Sequence, residues 1–122
     1  HVEDHCEALF KIYKKGIVGE NYNVGSGINL TNFSLVKTLL NIVKKNKIVL
    51  GKKVKIKFVK DRPGHDIRYA LNCNKIKRKL KWKTKKSFHN GLKETLEWYI
   101  NNKEFFNYFS KKIFFKRLGL NI

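Results

Sequence analysis

The chain has 122 residues, of which 42% are hydrophobic and 30% are charged, and its formal net charge at pH 7 is +19. This length suits a single domain with a modest core. No run approaches the ~20 consecutive apolar residues of a membrane-spanning helix, and no signal peptide is visible, so no membrane association is expected. The sequence contains no methionine, so we expect it to be a piece of a longer protein.

Hydrophobic periodicity predicts a first helix from Val2 to about Lys15. One face of this helix is apolar: Val2, Cys6, Leu9, Phe10 and Tyr13. Gly16 is expected to end the helix as a glycine C-cap. Cys6 is expected to be a small buried hydrophobe, and with Cys73 it forms neither a disulfide framework nor a metal spacing. A reducing cytosol is therefore the expected compartment.

A short strand, a second helix and another strand are predicted next. The pattern over 20–24 alternates, and Thr31 or Asn32 is expected to cap a helix over about 32–45. The inward residues of that helix are expected to be Val36, Leu39, Leu40 and Val43. After a lysine-rich loop, residues 54–58 alternate again, which predicts a second strand.

The remaining pattern predicts two further helices. Residues 67–71 are expected to form a short extended segment, and Asn72 or Asn74 to cap a helix through Leu80. Ser87 is expected to cap the last helix, over about 87–101. The predicted fold is a small, mixed, helix-rich α/β domain. In it, the second and fourth helices pack with a strand pair from about 20–24 and 54–59.

The turn after the second predicted strand, DRPGHD over residues 61–66, has the composition of an anion-binding turn. Pro63 fixes φ, and Gly64 permits backbone geometry closed to other residues. Arg62 offers a planar fork that can bind phosphate oxygens in a bidentate way, and His65 adds a donor. The flanking aspartates can cap amides or orient the basic side chains. An ordinary polar turn is the alternative interpretation.

Several segments occur in the same order and spacing as in a known enzyme family: HVEDHCEAL, GENYNVGSG with TNFSLV, FVKDRPGHDIRYALNCNKI, and LKW followed by SFHNGLKETLEWY. From about Val2 to about Tyr99, the chain resembles the C-terminal part of the dTDP-glucose 4,6-dehydratase family of extended short-chain dehydrogenase/reductases. The DRPGHD-x-RY run is close to family-specific. Residues 1–102 are thus predicted to be a C-terminal sugar-nucleotide-binding domain. Residues 103–122 are predicted to be a lysine- and aromatic-rich tail without a counterpart.

The resemblance implies an NAD-dependent hydro-lyase that converts dTDP-glucose to dTDP-4-keto-6-deoxyglucose. Hydride leaves C4 to NAD, water is eliminated across C5 and C6, and the hydride returns to C6. The substrate-binding positions of the family fall on Asn32, Asp61, Arg62, Pro63, Gly64 and His65. NAD and the catalytic residues belong to an N-terminal Rossmann domain absent from this chain, so the chain alone is expected to be inactive. The parent enzyme is expected to be a homodimer.

Three other segments resemble functional motifs, but we predict no chemical role for them. His1 and His5 stand one helical turn apart, but HVEDH is not HExxH and lacks a third ligand, so no metal is expected. Tyr108 and Lys112 match Tyr-x-x-x-Lys by letter, but they lie in the tail rather than in a cofactor domain. Gly25-Ser26-Gly27 lacks the third glycine and the βαβ setting of a dinucleotide loop.

Two alternative functions stay open. The first is another sugar-nucleotide epimerase or decarboxylase of the same superfamily. The second is a small basic nucleic-acid-binding module, suggested by the net charge. Of the 28 basic residues, 24 are lysines and four are arginines, and they are distributed along the chain without a recognisable nucleic-acid-binding motif. We therefore expect no specific nucleic-acid partner.

Overall fold

The structure, a computed structural model, describes residues 1–49, 54–61 and 63–108. The α-helices of this part are α1 (Val2–Lys15), α2 (Asn32–Lys45), α3 (Asn74–Leu80) and α4 (Phe88–Asn101), and a 3-10 helix (Lys103–Tyr108) follows α4. The four predicted helices are confirmed. No helix in the described part of the chain is long and apolar enough to cross a membrane.

The segments predicted as strands form no β-sheet. None of the residues in 20–24, 54–58 and 67–71 is assigned to a strand, nor is any other described residue. Alternating hydrophobicity gives a segment two faces, but a strand also needs a neighbour to pair with its backbone hydrogen-bonding groups. Phe58 remains 78% exposed, so its predicted inner face is not covered. The strand predictions, and the mixed α/β class that rested on them, are wrong for the described residues, whereas the helix-rich character is confirmed.

The ends of α1 are set by local hydrogen bonds. The backbone N–H of Glu3 donates to Nδ1 of His1, which caps the first turn. Gly16 ends the helix as predicted, but its φ of −69° is not that of a left-handed C-cap. Its N–H donates to the carbonyl oxygen of Ile12 at 2.7 Å. A Cβ at Gly16 would lie 2.4 Å from that oxygen, so close approach is what requires the glycine here.

The face of α1 that packs inward is not its apolar stripe. Asp4 and Ala8 are buried, whereas Cys6 is exposed. The large residues of the predicted stripe are each more than half exposed: Val2, Leu9, Phe10 and Tyr13. A small side chain lets α1 approach α3 closely, and the Asp4 carboxylate accepts backbone hydrogen bonds that compensate its burial. The prediction of a buried Cys6 is therefore wrong.

The hydrophobic core lies between α1, α3 and the segment that follows α3. Its buried members are Ala8, Cys73, Ile76, Leu80 and Trp82, and Ile12, Tyr22 and Val24 pack against them. The Asp4 carboxylate accepts hydrogen bonds from the backbone N–H of Lys85 at 3.0 Å and of Lys86 at 3.3 Å. This contact joins the first turn of α1 to the segment that leads into α4.

The second packing unit is a contact between α2 and α4. The two helices were predicted to pack with a strand pair from about 20–24 and 54–59, and that strand pair does not form in these described segments. Ile42, which the sequence pattern did not single out, is the fully buried residue of α2. Among the predicted inward residues, Leu39, Leu40 and Val43 are half-buried, and Val36 is 38% exposed. Ser87 caps α4 as predicted, because its hydroxyl accepts from the N–H of Asn90.

Two further predictions concern the start of α3 and the segment after α4. The residue at the N-cap position of α3 is Cys73 rather than a predicted asparagine, although Oδ1 of Asn72 accepts from the N–H of Asn74. The predicted tail over 103–122 begins with the 3-10 helix, which packs on α4 through a cluster of rings: Trp98, Tyr99, Phe105 and Phe106. Residues 109–122, including Lys112, lie outside the described residues. The domain boundary at 102 stays a prediction.

Candidate functional site

The candidate site is built around the turn over residues 61–66. Gly64 has φ of +69°, and nothing lies within 4 Å of the position a Cβ would occupy. Conformation rather than space therefore favours glycine at this position. Pro63 is exposed beside it. Arg62, the predicted phosphate ligand, lies outside the described residues.

The start of α2 lies across from this turn. Oγ1 of Thr31 accepts a hydrogen bond from the N–H of Ser34 at 3.1 Å and thereby caps the helix. Asn32 is the first residue of α2. The first turn carries no acidic side chain, so its positive helix-dipole end is not neutralised there.

The turn and the start of α2 enclose an open cleft of about 1000 Å³. Its lining combines residues from both segments: Asn29, Leu30, Thr31, Asn32, Asp61, Gly64, His65, Asp66, Ile67, Arg68 and Tyr69. The structure thus brings together four of the six predicted substrate-binding residues, although Asn32 stands 29 positions before Asp61 in the sequence. Pro63 belongs to the same turn but does not line the cleft.

Four lining residues of the DRPGHD-x-RY run were not predicted as binding residues: Asp66, Ile67, Arg68 and Tyr69. Asp66 accepts a hydrogen bond from the hydroxyl of Tyr69 at 2.5 Å, which ties the end of the turn to the segment after it. Arg68 supplies a guanidinium at the wall of the cleft. The carboxylates of Asp61 and Asp66 belong to the same lining as Arg68, and the positive end of α2 adds a favourable field for an anion.

A second, smaller cavity of about 200 Å³ lies at the start of α1 and is lined in part by His1, Asp4 and His5. Within the described ranges, no group of three or more His, Cys, Asp or Glu side chains is arranged to hold a metal ion. Gly25-Ser26-Gly27 leads neither out of a strand nor directly into a helix, since α2 begins at Asn32. The described residues therefore offer no dinucleotide loop of the Rossmann type.

Comparison with known proteins identifies the family to which this chain belongs. The sequence model of one family, GDP-mannose 4,6 dehydratase, matches residues 1–95. The chain therefore belongs to the GDP-mannose 4,6 dehydratase family. Within it, the chain is 40% identical over 111 residues to a dTDP-glucose 4,6-dehydratase of Escherichia coli, and 42% identical over 108 residues to that of Haemophilus influenzae. The resemblance drawn from the sequence motifs is confirmed.

These matches cover most of this chain but a smaller share of the relatives. The two alignments include 85% and 83% of the chain, and 30% and 31% of the respective enzymes. A crystal structure of dTDP-glucose 4,6-dehydratase from Bacillus anthracis, in complex with NAD, superimposes with a TM-score of 0.72 at 39% identity. That match covers 85% of this chain and 31% of the other. The chain thus spans about 30% of the length of the relatives it matches.

Proposed function

We propose that this chain is the substrate-binding part of a dTDP-glucose 4,6-dehydratase, an NAD-dependent hydro-lyase. The whole enzyme converts dTDP-glucose to dTDP-4-keto-6-deoxyglucose with loss of water. The observation that most directly supports this proposal is the cleft that brings Asn32 together with Asp61, Gly64 and His65. In the resembling family, the corresponding positions bind the sugar nucleotide. The dTDP-glucose 4,6-dehydratases of Escherichia coli and Haemophilus influenzae, at 40% and 42% identity, support the same assignment.

In this proposal the cleft binds the nucleotide and diphosphate and orients the sugar. Arg62 pairs with the diphosphate as a bidentate donor, and His65 donates beside it. The positive end of α2, next to Asn32, adds favourable electrostatics for phosphate. Pro63 and Gly64 hold the turn in the required conformation.

The described residues do not fit NAD, because they lack a dinucleotide loop. NAD is therefore assigned to an N-terminal Rossmann domain of the longer protein, where it would accept and return the hydride. The catalytic acid, base and Tyr/Lys pair are assigned to that domain as well. The exposed apolar stripe of α1, defined by Val2, Cys6, Leu9, Phe10 and Tyr13, is a suitable contact surface for it, because so many uncovered apolar side chains favour burial.

Turnover by the full-length protein that contains this chain tests the function. Purified enzyme is incubated separately with dTDP-glucose, UDP-glucose and GDP-mannose, and loss of water from the sugar is followed by mass spectrometry. We expect turnover of dTDP-glucose. Turnover of GDP-mannose or UDP-glucose alone would reassign the nucleotide. The 122-residue chain alone should show neither turnover nor bound NAD, and turnover by it would contradict the assignment of catalysis to another domain.

Replacement of Arg62 tests the diphosphate contact. In the full-length protein, Arg62→Ala should weaken binding of dTDP-glucose and of dTDP alike, as measured by calorimetry. A lost hydrogen bond to a charged group is worth on the order of 1.5–3 kcal/mol, which corresponds to about ten- to a hundredfold in affinity. Arg78→Ala is the matched control, because Arg78 is an exposed arginine of α3 outside the cleft lining. Unchanged dTDP affinity in the Arg62 variant would leave DRPGH as a structural turn.

A further inference from the structure

A ring contact joins the two segments that form the cleft. The ring centroids of Phe33 and Phe58 are 5.6 Å apart with an interplanar angle of 40°. Phe33 directly follows Asn32 at the start of α2, and Phe58 precedes Asp61 by three residues. Neither phenylalanine lines the cleft itself. The contact thus joins the two segments that form the cleft at residues next to its lining.

The segment that carries Phe58 belongs to neither a helix nor a strand, since residues 54–61 have no regular secondary structure. Hydrogen bonds of a sheet therefore do not set its distance from α2. Aromatic pairs at this separation are attractive beyond the area they bury. Nζ of Lys37 lies 4.3 Å from the ring centroid of Phe33, so a cation–π contact holds that ring from the α2 side.

We propose that Phe33 and Phe58 are positioning residues that set the spacing between Asn32 and the turn over 61–66. This inference rests on the proposed function, because it assumes a ligand that contacts both walls. Such a ligand binds more tightly when the walls are already held at the correct spacing, since less ordering is then needed on binding. Phe58 is 78% exposed and so contributes little to folding by burial. Its effect should therefore appear in binding rather than in stability.

The first test measures binding of dTDP to the full-length protein. Phe58→Ala should raise the dissociation constant roughly two- to tenfold, the range that corresponds to one aromatic pair. The KM for dTDP-glucose should rise by a similar factor, with kcat within about twofold. Phe58→Tyr, which keeps the ring, should restore wild-type values. Val54→Ala is the matched control, because Val54 is an exposed apolar residue of the same segment outside the ring pair.

A double-mutant cycle separates positioning from a general structural effect. If Phe58 acts by aligning the turn with Asn32, then Phe58→Ala should have a smaller effect on dTDP affinity in an Asn32→Ala background. Additive effects of the two substitutions would overturn the proposal. The proposal would also be overturned if Phe58→Ala lowered kcat and the melting temperature together and left the dissociation constant unchanged. That result would assign Phe58 to packing against another part of the protein.

A ligand-free measurement keeps this inference distinct from the proposed function. Amide hydrogen exchange over residues 58–69 should accelerate in Phe58→Ala and not in Val54→Ala. Unchanged exchange would refute the positioning role even if dTDP-glucose is turned over. Faster exchange together with no binding of dTDP or turnover of dTDP-glucose would instead contradict the proposed function and leave the ring contact in place.

Discussion

Asp4 is a charged residue that is buried, which the hydrophobic pattern of α1 did not predict. It is 4% exposed, and both carboxylate oxygens accept backbone hydrogen bonds from the segment before α4. The hydrogen bond from the Lys85 N–H lowers the pKa of Asp4 most strongly, while burial acts in the opposite direction. A lowered pKa in the folded state means that the ionised carboxylate stabilises the fold.

The pH dependence of stability follows from that direction. The contribution of Asp4 is complete above the ordinary aspartate pKa of about 3.9, and it is lost as pH falls through the lower folded-state value. Asp4→Ala should lower the free energy of unfolding at pH 7 by about 1.5–3 kcal/mol, the range for hydrogen bonds to a charged group. It should also reduce the loss of stability below pH 4. Denaturant unfolding at pH 7 and pH 3 measures both effects. Glu104→Gln, which alters an exposed carboxylate, is the control, and equal behaviour of the two variants would contradict this role.

At the candidate site, the sequence predicted some of the residues that line the cleft but not the contacts around them. Asn32, Asp61, Gly64 and His65 were named together through the resemblance, and they line one cleft. The turn itself was predictable, because proline restricts φ and glycine permits φ values closed to other residues. The contact between Phe33 and Phe58 was not, because it joins residues 25 positions apart and depends on tertiary placement that no local pattern encodes. The hydrogen bond between Tyr69 and Asp66 is local, but the composition of the run did not single it out.

Among the elements, helices were predictable and strands were not. Helix caps and periodicity are local, so Thr31 and Ser87 could be assigned from sequence. A strand depends on a distant partner, and the alternating segments found none in the described part of the chain. The predicted burial of Cys6 was also wrong, because Cys6 lies on the apolar stripe of α1, which the core of this chain does not cover. Hydrophobic periodicity identifies a face that favours burial, but it does not identify what covers that face.

Thiol reactivity tests whether another part of the longer protein covers the stripe of α1. Cys6 is exposed on this stripe, and Cys73 is buried at 4% exposure. In the 122-residue chain, a thiol reagent should therefore modify Cys6 quickly and Cys73 slowly. In the full-length protein, Cys6 should become protected, because the proposed cofactor domain covers it. Mass spectrometry of the labelled peptides distinguishes the two sites, and Cys73 is the internal control. Equal reactivity of Cys6 in both proteins would show that the stripe stays uncovered.

At the scale of the whole molecule, the dominant property is the net charge of +19. Lysines occur on each of the four α-helices, and the last turns of α1 and α2 each carry a pair: Lys14 with Lys15, and Lys44 with Lys45. Nine acidic residues in the whole chain cannot neutralise 28 basic ones. Charge spread over the helices in this way attracts any polyanion, and this attraction does not depend on base sequence.

Binding of the chain to duplex DNA should therefore be independent of sequence and steeply dependent on salt. Fluorescence anisotropy with two duplexes of equal length and different sequence should give equal dissociation constants. For a protein making about 6–10 phosphate contacts, affinity should fall by roughly 10³–10⁵ between 50 and 200 mM salt. Replacing both lysines of either pair by glutamine should weaken binding to a similar extent, because neither end belongs to a dedicated surface. A strong effect of one pair alone, or a sequence preference that persists at 200 mM salt, would instead indicate a specific nucleic-acid-binding face.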